Sequence, residues 1–395
     1  MPRPTPFHER TAPLCESWRW KHWGGYLAPC VYGESPEREY NAIRQGAALL
    51  DVTPLYKYEL RGPDAGALLD YVLARAVSKL KPGRMAYVCW TDDEGKLLDD
   101  GTCARLAPEH FLLTSGAPAY GWLVRHAPGF DVAIEEITDR KAALALQGPT
   151  SRDLLRAFVT PDPGDLGFFG IREVRFGEVP GWLSRTGYTG DLGYELWVDP
   201  GDALALWDTL ARHGADHGLA PVGLDALDIS RIEAGFVLRG VDYTGAQDAL
   251  IPSQKSTPYE MGLGWTVKLD RPPFVGQAAL RREAERGSAW AFVGLVIDWP
   301  ALERLCDSYG LPPQLPGAAW RTAVPLFRDG RQIGRATSGT WSPILKKNLA
   351  LATVEAAFAA PGSVVDIETT VEWARHLLPA TVAPTPFFDP PRKRS

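Results

Sequence analysis

The sequence predicts an α+β fold that ends in a separate domain of β-strands. Two patterns of hydrophobic residues lead to this prediction. Up to about residue 290, segments with apolar residues at helical spacing are mixed with segments in which apolar and polar residues alternate. From Trp290 onward the strands are short and interrupted by Gly and Pro, which is typical of a small barrel or sandwich. We therefore expect one region at 1–290 and a second at 291–395.

Periodicity predicts two helices, a strand and a hairpin in the first part of the chain. They are a helix at 36–50, a strand at 56–60, a helix at 63–76, and strands 85–90 and 96–105 joined by a turn at 91–95. Neighbouring residues of a strand face opposite sides of the sheet. Only one of the adjacent Asp99 and Asp100 is therefore expected to face a pocket.

The middle of the chain is predicted to alternate between helices and strands. The expected elements are a helix at 150–159, a connection at 160–170, a strand at 194–198, and helices at 202–213 and 225–233. His213 and His217 stand one helical turn apart, but no third ligand is evident and we predict no metal site.

Composition excludes several classes of protein. The net charge of −6 argues against a nucleic-acid-binding protein, and the basic run 392–394 is expected to be a solvated tail. The five cysteines never occur as C-x-x-C, which argues against a disulfide framework or a zinc site. No apolar run is long enough to span a membrane and no signal segment opens the chain, so a cytoplasmic protein is expected.

A glycine-rich loop at 184–196 holds the densest group of functional side chains. Around three glycines within seven residues lie an aromatic ring, two hydroxyls and two carboxylates. The strand that follows gives Glu195 a defined facing. A carboxylate beside such a loop suits a flat heterocycle with several N–H groups, because one carboxylate can accept two parallel hydrogen bonds.

This loop resembles the signature of the glycine-cleavage T-protein (aminomethyltransferase) family, and further segments resemble that family in the same order. These segments are Gly25-Tyr26 with Pro29, Leu50-Asp51-Val52-Thr53, Leu98-Asp99-Asp100, Leu146-Gln147-Gly148-Pro149, Gly223-Leu224 with Arg231-Ile232-Glu233-Ala234-Gly235, Pro258-Tyr259-Glu260 with Gly262-Leu263, Phe274-Val275-Gly276, and Thr337-Ser338-Gly339 with Ser342-Pro343. The resemblance implies a tetrahydrofolate-dependent one-carbon transferase. It also implies a multi-domain ring around a central folate channel, with two interleaved α+β subdomains and a C-terminal β-barrel.

The same resemblance implies which residues form the site. Asp100 takes the place of the family's catalytic carboxylate, and Tyr87 is expected to line the same pocket. Glu195 is expected to bind the pterin ring of the folate, and Tyr188 is either part of the pocket wall or plain packing. Asp99 is expected to be structural.

Several departures from the family bear on the one-carbon donor. Leu55 and Ser115 stand where T-proteins carry Met and Asn, and both are expected at the folate site. Leu227 replaces an Arg, which removes a partner for a carboxylate or for an acidic carrier. The segment 239–258 is longer than the corresponding T-protein loop. The Trp-rich opening, which includes Trp23, either walls an apolar or cationic substrate or belongs to the core.

These departures favour the family's demethylase branch, in which a small O-, N- or S-methyl compound donates a methyl group to tetrahydrofolate. One alternative is a true aminomethyltransferase that receives its group from a lipoyl carrier protein. A second is a non-catalytic folate-binding protein of the iron–sulfur-assembly branch, whose cysteine-containing motif is absent here. A third is a detached folate domain of a larger oxidoreductase, although the chain has no dinucleotide fingerprint.

Overall fold

The computed structural model describes all residues, 1–395, as a mixture of helices and strands. The helices are α1 His8–Thr11, α2 Pro36–Gln45, α3 Ala65–Val72, α4 Tyr120–His126, α5 Ser151–Arg156, α6 Ala203–Gly214, α7 Leu224–Glu233, α8 Gln277–Arg286 and α9 Trp299–Ser308. The strands are β1 Trp20–Trp23, β2 Tyr26–Pro29, β3 Ala47–Asp51, β4 Tyr56–Arg61, β5 Arg84–Thr91, β6 Leu97–Ala107, β7 His110–Ser115, β8 Ala133–Glu136, β9 Ala142–Gln147, β10 Val159–Thr160, β11 Ile171–Phe176, β12 Val179–Ser184, β13 Gly193–Val198, β14 Leu219–Pro221, β15 Trp290–Ile297, β16 Val324–Arg328, β17 Arg331–Ser342, β18 Lys347–Glu355, β19 Val364–Val371 and β20 Ala374–Ala383. None of the helices combines the length and the apolar character that a membrane crossing needs.

Two sheets with interleaved connectivity form the first part of the molecule. One has seven strands in the order β10-β11-β12-β13-β9-β3-β14, and β14 pairs with β3 in parallel. The other has five strands in the order β5-β6-β7-β4-β8. All five come from the stretch of chain between β3 and β9, which are neighbours in the first sheet. The second sheet is therefore an insertion between two paired strands of the first.

The prediction of a helix at 36–50 was wrong in the second half of this range. The helix ends at Gln45, and β3 then begins at Ala47. A side chain at Gly46 would approach the carbonyl oxygen of Gly218 to 2.9 Å, so the chain passes too close to its neighbour for the helix to continue. All five residues of β3 are buried, and the continuous apolar run at 47–50 does not reveal its period.

The C-terminal strands close into a six-stranded barrel in the order β15-β18-β17-β16-β19-β20, with β15 paired to β20. Inward-facing residues such as Leu295, Leu326 and Ala352 fill its core. The prediction of a C-terminal barrel is confirmed, while the boundary at 290/291 stays a prediction.

Buried polar contacts join the barrel to the preceding region. The Asp242 carboxylate accepts hydrogen bonds from the hydroxyls of Thr337 (2.6 Å) and Ser338 (2.8 Å), both on β17. The same carboxylate forms an ion pair of 2.6 Å with Arg231 of α7. One carboxylate therefore bridges a helix, a loop and the barrel.

The expectation of a solvated C-terminal tail is contradicted. Arg392 donates two hydrogen bonds, of 2.7 and 2.9 Å, to the Asp191 carboxylate, whose side chain is fully buried. The ammonium group of Lys393 lies 5.1 Å from the centre of the Phe236 ring. The tail is docked because a buried carboxylate in the glycine-rich loop needs a cationic partner.

Candidate functional site

A cavity of about 780 Å³ lies where the two sheets, the N-terminal hairpin and the barrel meet. Each unit contributes to its wall: Trp23 from the hairpin, Asp100 from the five-stranded sheet, Glu195 from the seven-stranded sheet and Phe292 from the barrel. This volume lies within the range of sites that bind small molecules and organic cofactors.

The glycine-rich loop leaves room for a buried glutamine. A side chain at Gly187 or Gly193 would collide with the amide group of Gln147. The Gln147 Nε2 donates to the carbonyl oxygens of Thr186 (3.3 Å) and Tyr194 (3.2 Å), and so holds both sides of the loop. These glycines are therefore needed for close packing, which places Glu195 at the cavity wall.

A chain of donors orients the Glu195 carboxylate. The Trp197 indole N–H donates to Ser184 Oγ (3.3 Å), and Ser184 Oγ lies 2.8 Å from Thr186 Oγ1. Thr186 in turn donates to Glu195 Oε2 at 2.7 Å. Because the indole N–H can only donate, Ser184 donates its hydroxyl proton to Thr186, and Thr186 donates its own to the carboxylate. The other oxygen, Oε1, has no hydrogen-bond partner in the protein and is free to accept N–H groups of a ligand. Burial raises the pKa of Glu195.

Lys57 lies fully buried beside this carboxylate. Its Nζ donates to the carbonyl oxygens of Thr53 and Leu55, each at 2.7 Å. Burial lowers the pKa of Lys57 to about 7, while Asp51 and Glu195 oppose that change. The two carbonyl acceptors match the two N–H groups of a neutral Lys57 amine and would leave the third N–H of an ammonium group without a partner among them. Sequence reasoning missed Lys57, since one lysine in an alternating strand normally points to solvent.

Asp99 and Asp100 are held in different ways. Asp100 accepts one hydrogen bond from the Tyr87 hydroxyl (2.6 Å) and another from the Tyr243 hydroxyl. The Asp99 carboxylate accepts mainly from the backbone N–H groups of Asp100 (2.8 Å) and Ala117 (2.9 Å), and more distantly from the Tyr243 hydroxyl (3.4 Å). Burial raises the pKa of both carboxyl groups, and the two hydroxyl donors oppose this for Asp100. The prediction that only one of the two faces a pocket is wrong, because Asp99 also reaches the cavity wall, although only 2 % of it is exposed.

The structure brings all of the sequence-predicted site residues to this one cavity. They are Leu55, Tyr87, Asp100, Ser115, Tyr188 and Glu195. The Ser115 hydroxyl donates to the Ala117 carbonyl (2.6 Å) and is therefore already engaged. The Tyr188 hydroxyl donates to the Val237 carbonyl, and its ring faces that of Phe236 at 5.5 Å.

Other residues at the cavity wall or directly behind it were not expected. Tyr243 reaches Asp100 from the long segment 239–258, and Trp265 stacks on Tyr87 with ring centres 5.6 Å apart. Lys393 and Arg394 line the cavity from the tail. No local pattern marks them, because each comes from a segment far from Asp100 in the sequence. Of the tryptophans at the start of the chain, only Trp23 lines the cavity.

Comparisons with known proteins agree on one family. Two family models match: the GCVT N-terminal domain over residues 14–271 and the glycine cleavage T-protein C-terminal barrel domain over residues 309–389. The trimethylamine-oxide aldolase of Ruegeria pomeroyi is 36% identical over 407 residues, which cover 100% of this chain and 48% of that protein. The chain thus spans about half the length of this relative.

Relatives of similar length are aminomethyltransferases. The enzyme of Geobacillus thermodenitrificans is 34% identical over 371 residues, covering 92% of this chain and 93% of that protein. Among solved structures, the glycine cleavage system aminomethyltransferase T from Bartonella henselae matches with a TM-score of 0.82 at 26% identity. That match covers 98% of this chain and 99% of the other.

Proposed function

Because the chain belongs to the glycine cleavage T-protein family, we propose that it transfers a methyl group from a small free O-, N- or S-methyl compound to tetrahydrofolate. The family relationship makes the chain an enzyme of the aminomethyltransferase-like class. The observation that carries the proposal is a single cavity in which Glu195 offers a free oxygen and Asp100 is held by two phenols.

The residues at the cavity fit a reduced folate. The edge of a pterin ring carries N–H donors, and Glu195 Oε1 is an unengaged acceptor on the wall. Tyr188 and Phe236 supply flat apolar surface for the rings. Lys393 and Arg394 line the cavity from the tail and share Asp389 as their ion-pair partner, so together they leave one positive charge for carboxylates of the same ligand.

Asp100 is the group best placed to move a proton. Bound tetrahydrofolate would supply the nucleophilic nitrogen that takes up the methyl group, and the bond between the methyl carbon and the donor heteroatom would break. The heteroatom would keep the electron pair of that bond. Asp100 is placed to accept the proton released from the nitrogen and to return it to the heteroatom. Burial raises the pKa of Asp100 above its ordinary value, which favours the uptake of a proton by this carboxylate.

Three features favour a small free donor. Leu227 places an apolar side chain at the wall where the family carries a cation, and the long segment 239–258 contributes Tyr243 beside Asp100. A relative is named for trimethylamine oxide, a small methylated compound. The alternative is transfer of an aminomethyl group from a lipoyl carrier, supported by the aminomethyltransferases that match this chain over 93% of their length.

Calorimetry with tetrahydrofolate tests the binding site. Glu195→Ala should weaken binding by ~1.5–3 kcal/mol, the usual loss for a hydrogen bond to a charged group. Glu178→Ala is the control, because the Glu178 side chain is fully exposed at a turn of the same sheet. Equal affinity of the Glu195→Ala variant and the wild type would remove Glu195 from the pterin site.

Mass spectrometry of the folate product tests the donor. The enzyme is given tetrahydrofolate with either an aminomethyl-lipoyl carrier or a panel of O-, N- and S-methyl compounds that includes trimethylamine oxide. We expect 5-methyltetrahydrofolate from a member of the panel. Efficient formation of 5,10-methylenetetrahydrofolate from the carrier would instead establish the aminomethyltransferase alternative.

A further inference from the structure

One end of the cavity carries cationic side chains that form no hydrogen bond or ion pair with Glu195 or Asp100. This end is formed by α7, the N-terminal hairpin and the segment before β16. Its wall includes Lys21, Trp23, Leu227 and Arg321. Because these residues come from three units of the fold, the subsite exists only in the assembled chain.

Arg321 presents a guanidinium group of fixed orientation. Its Nε donates to Asp228 Oδ2, and the other oxygen of that carboxylate accepts from Arg231 Nε at 3.0 Å. The Asp228 side chain is only 5 % exposed. Neither terminal nitrogen of Arg321 has a hydrogen-bond partner in the protein, although the residue lines the cavity. An anchored fork of this kind is suited to bidentate recognition of a carboxylate.

Lys21 adds a second cation without an anionic partner. The nearest acidic groups are already engaged, since Asp225 pairs with Arg19 at 2.9 Å and Asp228 holds two arginines. The charges of Lys21 and Arg321 both act on the Asp225 carboxylate, which places the two cations in the same neighbourhood. An anion that entered here would therefore meet the unpaired ammonium group of Lys21 and the free terminal nitrogens of Arg321.

The surface beside these cations is apolar. Trp23 and Leu227 pack in one cluster with Leu50 and Trp197. Trp197 belongs to the donor chain of Glu195, so this surface connects the cation pair to the proposed folate site. A ligand here would keep a charged end at Arg321 and a small apolar end toward the interior.

We propose that Arg321 and Lys21 bind the carboxylate of the methyl donor, so that the donor is a small methylated carboxylic acid. This inference rests on the proposed function and adds the chemical class of its substrate. A glutamate carboxylate of the folate has the same chemistry and is the other source of an anion at this subsite. The two sources are separated by the ligands used in the test.

The test compares matched ligands on the tetrahydrofolate-saturated enzyme. Each pair differs only in whether a carboxylate or a hydroxymethyl group is present: methoxyacetate and 2-methoxyethanol, N,N-dimethylglycine and 2-(dimethylamino)ethanol, and (methylthio)acetate and 2-(methylthio)ethanol. Calorimetry should show that the acid of at least one pair binds ~10-fold or more tightly than its alcohol. Arg321→Gln should reduce the affinity for that acid ~10–100-fold and leave that for the alcohol unchanged.

A second test variant and a control variant separate loss of the subsite from misfolding and from general changes in charge. Lys21→Gln should weaken binding of the same acid, and because Lys21 is exposed and has no internal partner it reports even if Arg321→Gln folds poorly. Arg375→Gln on the barrel surface, where the side chain is 79 % exposed, should behave as the wild type.

Tetrahydropteroate, which lacks the glutamate, identifies the source of the carboxylate. If Arg321→Gln weakens binding of tetrahydrofolate but not of tetrahydropteroate, the subsite belongs to the folate and the inference is wrong. Equal affinity for acid and alcohol in every pair, or no binding of any acid, would also overturn it. Failure of the wild type to bind tetrahydrofolate at all would refute the proposed function itself.

Discussion

At the scale of single residues, Asp99 and Asp100 show how two adjacent carboxylates come to differ. The oxygens of Asp99 accept from backbone N–H groups, including that of Ala117 at 2.9 Å, so this side chain fixes the path of the chain. The oxygens of Asp100 accept from the hydroxyls of Tyr87 and Tyr243 at the cavity. The alternation of the strand gives Asp99 two backbone donors and Asp100 two phenol donors, with the Tyr243 hydroxyl also 3.4 Å from Asp99, and these partners determine what each carboxylate can do.

Replacing these two carboxylates should therefore have different consequences. Asp100→Asn keeps the shape but removes the proton acceptor, and turnover should fall by ~10²–10⁴-fold with a much smaller change in tetrahydrofolate affinity. Asp99→Asn should mainly lower the free energy of unfolding, by about 1–3 kcal/mol, because a buried backbone donor loses a charged acceptor. Steady-state kinetics and urea unfolding measure the two effects. A larger loss of turnover in Asp99→Asn would reverse the assignment.

Tyr243 should set the pH range in which Asp100 works. Its hydrogen bond favours the ionised carboxylate, so Tyr243→Phe should raise the pKa of Asp100. The acidic limb of the kcat/KM profile should then move up by ~1–2 pH units, the equivalent of a hydrogen bond to a charged group. Tyr194→Phe, whose hydroxyl accepts from Arg152 outside the cavity, is the control. If the acidic limb of the kcat/KM profile is the same in Tyr243→Phe as in the wild type, Tyr243 does not lower the pKa of Asp100.

At the scale of secondary-structure elements, strand β4 buries Lys57 where the charged ammonium form of its side chain is destabilised. The Lys57 amine has two carbonyl acceptors, so a third N–H of the charged form would have no partner among them. Burial lowers the pKa of Lys57 in the folded chain to about 7, against ~10.4 in an unfolded chain. The strand therefore contributes a pH-dependent part of the stability.

The sign of this dependence follows from proton counting. Between about pH 7 and 10.4 the unfolded chain holds a proton on Lys57 that the folded chain lacks, so the free energy of unfolding rises with pH in this window. The slope is at most ~1.4 kcal/mol per pH unit. Urea unfolding at pH 7, 8 and 9 should show a slope for the wild type that Lys57→Met lacks. Parallel profiles for the two proteins would contradict the lowered pKa.

At the scale of the whole molecule, a few buried charges hold the separate units around the cavity. Asp242 bridges Arg231 of α7 to the hydroxyls of Thr337 and Ser338 on the barrel. Arg392 of the tail is paired with Asp191 in the glycine-rich loop. The ring of units predicted from the family resemblance therefore depends on ion pairs between distant segments, and the resemblance itself is confirmed by both family models.

Removing the Asp242 carboxylate should loosen this assembly. Asp242→Ala leaves the fully buried Arg231 with Asp228 alone, and we expect the free energy of unfolding to fall by ~3–5 kcal/mol. Asp248→Ala, in the same segment, removes a side chain that is 56 % exposed and should cost less than ~1 kcal/mol. Similar losses in the two variants would show that the Asp242 contacts do not hold the barrel in place.

The sequence by itself determined the features that depend on neighbours along the chain. The hairpin that carries Asp99 and Asp100, the strand after the glycine-rich loop and the C-terminal strands follow from alternation and turn residues. The family motifs also predicted that Asp100 and Glu195 would meet at one site, and both line the cavity.

Only the tertiary structure decided what depends on contacts between distant segments. Gly46 ends a helix because the backbone at Gly218 lies against it, and Tyr243 reaches Asp100 across 143 positions of sequence. Arg392 is docked because Asp191 is buried beneath it. The amine of Lys57 is buried because both of its acceptors and the surrounding sheet enclose it. Spacing along the chain carries none of this information, since burial and pairing depend on which remote groups the fold brings within a few ångströms.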